Sequence, residues 1–384
     1  MTSSGSFPVL FAGGGTGGHV FPLLAVADAM RAIRPDVDVT FVGTAKGMEA
    51  TLLPARGEKL VLLESKPIKG QGFAGGLRGI STAAGAVPDG RALVRKLDPR
   101  VVLSVGGYAA GPVALAARTL GVPVALLEPN SVLGLANWLM TPLVARAYVA
   151  FPEVERRYRP SVVRSFGIPL RPGFDAVPYA PSRDRLRVVV LGGSQGAEAL
   201  NQRMPEAIAA LVADFPQITV FHQAGRGKEE DVTARYAALG LADRVEVAAF
   251  VADVAGTLAS SDVVVARSGA GSLAELCAVG RASVLVPFPF AADDHQRKNA
   301  ESLSNVGAAI TVVQDQATPA RLAKELRALF ESPNHRLAVA DAARRRGVPD
   351  AARRIALDLF ELAKTRDKHA PAAPAPPPTP PASP

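Results

Sequence analysis

Short apolar runs recur along this chain, each broken by glycine and followed by an apolar, helix-forming segment. Residues 7–12 (FPVLFA) lead into Gly13-Gly14-Gly15-Thr16-Gly17-Gly18-His19, then into LLAVADAMRAI, and VDVTFVG at 37–43 closes the unit. An apolar run of strand length, a glycine turn and a helical segment together predict a βαβ unit. The pattern returns at 101–127: VVLSV, then Gly106-Gly107-Tyr108-Ala109-Ala110-Gly111-Pro112, an Ala-rich helix and VPVALL. A second half mirrors the first, with RVVVLGGSQGAEALN at 187–201, ITVFHQAG at 218–225 and two further units through residue 289. Pro and Gly at 169–173 mark a border. The expected organisation is therefore α/β: one domain over residues 1–168, a second over 169–366, each a doubly wound parallel sheet, facing across a cleft. Residues 367–384 are Pro/Ala-rich and cannot bury a core, so an extended, disordered tail is expected there.

Composition narrows the picture. At 384 residues, 48% hydrophobic and 20% charged, the chain is long enough for two ordinary cores. Its single cysteine, Cys277, forms no intrachain disulfide and reads as a small buried residue in a reducing compartment. No Lys or Arg precedes Arg31, which argues against a secretory signal, and Gly, Pro or Asn interrupts each charge-free stretch, which argues against a spanning helix. A soluble or at most peripheral protein is expected. The net charge of +8 points to an anionic partner, and the absence of a nucleic-acid module argues against nucleic acid. At residues 66–80, Ile68, Phe73, Leu77 and Ile80 interleave with Lys66, Lys69 and Arg78. That is the pattern of a surface that rests on anionic lipid, or else of a loop leading into a helix.

The glycine loops carry the candidate chemistry. Each leaves backbone N–H groups and a positive helix end aimed at one spot, a site for phosphate. Gly13, Gly15 and Gly18 satisfy GxGxxG, yet Gly43-Thr44-Ala45-Lys46 follows the second strand with no carboxylate, which weakens a dinucleotide reading. Asp36 and Asp38 sit at a strand entrance and read as a solvated turn. Glu128 and Asn130 lie at a strand's carboxyl end, as site residues or as a cap and turn. Glu275 is expected in a helix first turn, complementing its dipole or holding vicinal hydroxyls. Asp293 and Asp294 are expected to cap the helix that follows them. No Walker motif, GxSxG or metal-ligand His/Cys cluster occurs, so a nucleoside diphosphate leaving group suits the loops best, without metal or other cofactor.

These residues in this order also carry a resemblance. Gly14-Gly15-Thr16-Gly17-Gly18-His19-Val20-Phe21-Pro22, Gly106-Gly107-Tyr108, Gly192-Gly193-Ser194-Gln195-Gly196-Ala197 with Asn201, and Arg267-Ser268-Gly269-Ala270 with Glu275 resemble the MurG family. These are bacterial N-acetylglucosaminyltransferases of glycosyltransferase family 28 that complete lipid II. The resemblance spans residues 8–363 and implies a GT-B fold of two Rossmann-like domains, with the last helix crossing back to the first. It implies transfer of GlcNAc from UDP-GlcNAc to the MurNAc 4-hydroxyl of undecaprenyl-linked lipid I, with inversion, at the cytoplasmic face of the inner membrane. Other cell-wall and division proteins are implied as partners. The donor would meet Ser194, Arg171, the backbone at Val251, the loop Ala270, Gly271, Ser272, Leu273 and Ala274, then Glu275 and Gln296, with Thr16, Gly17, Gly18 and Asn130 from the first half. Gly106, Gly107 and Tyr108 would lie on the acceptor side. His19 is the expected general base and Glu128 its rival. Gly271-Ser272 is more flexible than the loop common in that family, and His295 stands where a second glutamine is common. Two other readings stay open: a UDP-GlcNAc 2-epimerase of the same fold, and a non-catalytic UDP-sugar-binding scaffold at the membrane surface.

Overall fold

The computed structural model describes residues 5–63, 87–107, 110–193 and 195–367. Seven strands form the first sheet: β1 (Phe7–Ala12), β2 (Val37–Gly43), β3 (Lys59–Leu62), β4 (Val102–Ser104), β5 (Val124–Glu128), β6 (Arg146–Val149) and β7 (Val163–Arg164). Six form the second: β8 (Leu186–Leu191), β9 (Ile218–Gln223), β10 (Val245–Ala248), β11 (Val263–Ala266), β12 (Ala282–Leu285) and β13 (Ile310–Thr311). Their orders are β3-β2-β1-β4-β5-β6-β7 and β10-β9-β8-β11-β12-β13, and every pairing is parallel. Chain order therefore reverses beside β1 and again beside β8, and at such a point the loops leaving the strands part to open a crevice. Both glycine loops leave the sheets there.

The strands read as unbroken apolar runs because helices cover both faces. Along β1, Val9 and Phe11 join one core with Val20, Leu23 and Leu24, while Leu10 and Ala12 join another with Val113 and Ala114. In the second sheet Val188 and Val190 face one core and Val189 the other. Cys277 lies in a further cluster, where burial pushes its thiol up to about 12, in keeping with an apolar packing role.

The helix Ala351–Asp367 packs on the first sheet rather than the second. Its Ile355, Ala356, Leu359 and Leu362 enter the core built by β1 and β2, and its Asp358 accepts from the Tyr148 hydroxyl (2.9 Å) and Arg146 Nε (3.1 Å). The chain thus crosses between the domains twice, and the crossings touch: a Cβ on Gly167 would sit 3.0 Å from Val348 Cβ. Two buried arginines fasten the segment leading to β8. Arg281 Nη1 donates to the Val177 carbonyl (3.1 Å), and Arg336 Nε to the Tyr179 hydroxyl (2.7 Å).

Two local expectations are corrected. The helix carrying Glu275 begins at Ala270, which puts Glu275 in its second turn, beyond the reach of a dipole contact at the N-terminus. Asp293 and Asp294 are left-handed (φ 51° and 55°), and neither caps the helix His295–Ser304 through its side chain. Asp36 lies in the turn before β2, as expected, paired with Arg34 (2.7 Å), and Asp38, just inside β2, pairs with Lys59 (2.7 Å). Among the described residues no helix is long and apolar enough to cross a membrane. The basic-apolar stretch at 66–80 and the tail from 368 lie outside the described residues.

Candidate active site

The first glycine loop leads into the helix Gly17–Ile33, with extended Thr16 before its first residue. The amides of Gly17 and Gly18 belong to the first turn, where no intrahelical acceptor exists for them. His19 is half-buried on that turn, and its Nδ1 lies 2.9 Å from the Gly14 carbonyl oxygen. A carbonyl only accepts, so Nδ1 carries the hydrogen and the neutral ring keeps its lone pair on Nε2.

A carboxylate does stand behind this loop, though not at the end of β2, where a dinucleotide fold keeps its acid. Glu49, from the helix Glu49–Ala55, is fully buried and accepts from the Gly15 amide (2.7 Å), the Thr44 amide (2.9 Å) and Thr44 Oγ1 (3.2 Å). The only signal in the sequence was the glycine pair around it: Gly43 and Gly47, like Gly14, have no room for a Cβ beside its side chain.

Glu128 ends β5 almost wholly buried. Its Oε1 accepts from the Asn130 amide (3.1 Å) and Nδ2 (3.4 Å), and its Oε2 from the Gly134 amide (3.2 Å) and Asn137 Nδ2 (2.9 Å). Burial pushes its pKa up against the pull of those donors, Asn137 first among them. Both oxygens are engaged by its own loop, which suits a group that shapes the loop better than one that takes a proton. Gly107 lies against the same Gly14 carbonyl that His19 holds, with room for a Cβ at 3.6 Å. Gly106 precedes it at the end of β4; Tyr108 lies outside the described residues.

From the second domain, the loop after β8 precedes the helix Glu198–Ala209, four residues beyond Ser194, which itself lies outside the described residues. A Cβ on Gly196 would fall 1.9 Å from the Ala224 carbonyl oxygen, so the loop lies flat on the end of β9. That carbonyl accepts from Asn201 Nδ2 (2.9 Å), Asn201 Oδ1 accepts from His222 Nε2 (3.1 Å), and His222 Nδ1 accepts from the Tyr236 hydroxyl (3.0 Å). Burial pushes the His222 ring down to about 4, so this brace is neutral. Lys228 Nζ sits 3.3 Å from the Gln195 carbonyl oxygen, a cation at the loop that no motif in the sequence announced.

Residues 270–274 open the helix Ala270–Val279. Glu275 follows, 3.8 Å from Arg171 Nη2; burial pushes its carboxyl up to about 7, with Arg171 pulling the other way. The Arg171 guanidinium lies over the rings of Phe174 (5.8 Å) and of Phe21 from the first domain (5.5 Å), so it spans the crevice. Val251 is buried with Leu170 and Phe174. Gln296 Oε1 accepts from the Phe288 amide (3.1 Å), which fixes its Nε2 as the donor end of the side chain.

A second link joins the two loop sets. Asn299, fully buried, donates through Nδ2 to Asn130 Oδ1 (3.2 Å) and to the Ser268 carbonyl (3.4 Å), and its Oδ1 accepts from the Ser131 amide (2.8 Å). In the sequence Asn299 is one polar residue of the run 293–299, DDHQRKN. Its register beside Ala300 and Leu303, which share its buried face, was the available sign. Among the described residues no group of three or more His, Cys, Asp or Glu is placed to hold a metal ion.

Two parallel Rossmann-like sheets, cross-tied through their loop ends and closed by a returning last helix, make this a GT-B glycosyltransferase fold. Residues 9–149 match the glycosyltransferase family 28 N-terminal domain, and residues 187–355 the glycosyltransferase family 28 C-terminal domain. A UDP-N-acetylglucosamine--N-acetylmuramyl-(pentapeptide) pyrophosphoryl-undecaprenol N-acetylglucosamine transferase of Sorangium cellulosum is 55% identical over 93% of this chain and 88% of its own. The protein of the same name from Anaeromyxobacter dehalogenans is 41% identical, over 93% and 94%. The crystal structure of Acinetobacter baumannii MurG superposes with a TM-score of 0.75 at 29% identity, over 92% of this chain and 99% of that one. This chain belongs to glycosyltransferase family 28, in the family of those N-acetylmuramyl-(pentapeptide) pyrophosphoryl-undecaprenol N-acetylglucosamine transferases. The resemblance and the fold read from the motifs are both borne out.

Proposed function

We infer that this protein transfers GlcNAc from UDP-GlcNAc to the MurNAc 4-hydroxyl of undecaprenyl-pyrophosphoryl-MurNAc-pentapeptide, converting lipid I to lipid II with inversion. The observation that carries this is a relative of that activity 55% identical across 93% of the chain. The crevice is consistent with the residue roles. Ser194 and the amides beside it take the diphosphate, with Arg171 and the helix end at Ala270 opposing the charge that grows on the leaving phosphate. Glu275 holds the ribose hydroxyls, the Val251 backbone reads uracil, and Gln296 donates to the sugar. Thr16, Gly17, Gly18 and Asn130 close the donor site from the first domain, and Gly106, Gly107 and Tyr108 face the acceptor.

His19 is the general base. Support comes from its bare Nε2 at the mouth of the first loop and from the engagement of both Glu128 oxygens elsewhere. The acceptor hydroxyl's proton passes to Nε2 as its oxygen attacks the anomeric carbon, and the sugar–phosphate bond breaks with its electron pair leaving on UDP. The acceptor arrives from a membrane. Next to the Glu128 loop, the helix Leu135–Met140 exposes Leu135, Trp138 and Leu139, an apolar face with an aromatic ring suited to the interface of the cytoplasmic leaflet. Labelled UDP-GlcNAc with a lipid I analogue tests the reading: label should enter the lipid. Formation of UDP-ManNAc would establish an epimerase instead, and binding without product would leave a scaffold.

A further inference from the structure

Glu49 is an expensive residue to place where it is. A fully buried carboxylate with no cation among its hydrogen-bond partners forfeits hydration that the loop must replace. Room is made for it as well: a Cβ on Gly14, Gly43 or Gly47 would fall within 2.1, 2.4 or 2.0 Å of its side-chain atoms. Nor can it serve as the ribose-binding acid of a dinucleotide fold, because both oxygens point into the protein onto Gly15 and Thr44.

What it grips is one particular peptide unit. The N–H held by Glu49 Oε2 at 2.7 Å belongs to Gly15, and the carbonyl of that same unit, on Gly14, is the one that accepts from His19 Nδ1 at 2.9 Å. We propose that Glu49 is a positioning residue for His19, acting through the Gly14–Gly15 peptide. The carboxylate polarises the unit, which makes the Gly14 oxygen a stronger acceptor. The stronger acceptor holds the proton on Nδ1, keeps the lone pair on Nε2, and stabilises the imidazolium that forms when the acceptor's proton arrives. This is the logic of an Asp–His pair with one peptide interposed. The inference rests on His19 being the base.

The test uses the full-length protein labelled with ¹⁵N-histidine, with the His19 resonances assigned by their loss in His19→Gln. In the wild-type neutral ring, Nδ1 should be protonated and Nε2 bare; the opposite tautomer overturns the proposal without any variant at Glu49. In Glu49→Gln one amide hydrogen must meet a donor, so the ring should become a mixture of tautomers. Turnover should fall about 10–100-fold, the usual cost of losing a partner that orients a functional histidine, with KM for UDP-GlcNAc nearly unchanged. A loop brace and nothing more would raise KM or lower thermal stability while leaving the tautomer alone, and that result also overturns it. In a His19→Gln background, Glu49→Gln should cost no further turnover; an additive loss contradicts action through His19. Should His19→Gln alone turn over normally, the base assignment fails, and the tautomer comparison still decides whether Glu49 governs the ring.

Discussion

Two glycine loops with nearly the same spelling are braced by opposite chemistry. Behind Gly13–Gly18 stands a buried carboxylate; behind Gly192–Gly196 stands a neutral chain of Asn201, His222 and Tyr236. A phosphate at a glycine loop is held by the positive potential of its amides, and a carboxylate lodged behind them cancels part of it. A histidine kept neutral by burial leaves that potential intact, while Lys228 beside the loop is matched by Glu198 at 3.7 Å. The two loops therefore differ in role. On the proposed roles, the second loop suits an anion, and the first suits holding His19 beside the acceptor.

Substitutions should break the molecule along that division. His19→Gln should lower turnover by about 10²–10⁴, the usual worth of a general base, with UDP affinity unchanged by calorimetry; a matching loss of UDP affinity would erase the distinction. Glu275→Gln should strike binding instead. An ionised carboxylate accepts hydroxyls more strongly than an amide, so UDP affinity should fall about tenfold, the lower end for a charge-assisted bond. The wild-type carboxyl, pushed up to about 7, is protonated on the acid side of that value. UDP should therefore bind more tightly as pH rises from 6 to 8, a trend that must vanish in Glu275→Gln.

A further effect concerns stability. His222 titrates near 4 in the fold against an ordinary 6.5, so the unfolded chain binds the extra proton between those values. Its contribution is complete above pH 6.5 and is lost as pH falls toward 4, by about 3 kcal/mol at most. Urea unfolding of the second domain should show that loss, and His222→Gln should flatten it. An equal slope in the variant would place the titration elsewhere.

Much of this was legible in the chain. Strands covered on both faces must be continuously apolar, and glycine must punctuate them, so the two-domain parallel architecture could be read from residues 7–43 and 187–225 alone. His19, Glu128 and Asn130 stood out because they follow strand ends. What escaped were partners distant in sequence. Glu49 sits in an ordinary helical stretch and gains meaning only when β2 brings it under Gly14; Asn299 reads as one polar residue among several until the fold carries it across to Asn130. Asp293 and Asp294 looked like caps because capping depends on residue type in a sequence and on φ in a structure, and here both residues are left-handed and make no side-chain cap.

Glycosyl transfer with inversion is best tested by the product itself. Full-length protein supplied with UDP-GlcNAc and a lipid I analogue should yield lipid-linked GlcNAc whose anomeric configuration, read by NMR, is inverted from that in the donor. A retained linkage, or a labelled sugar nucleotide with none in the lipid, would contradict the account.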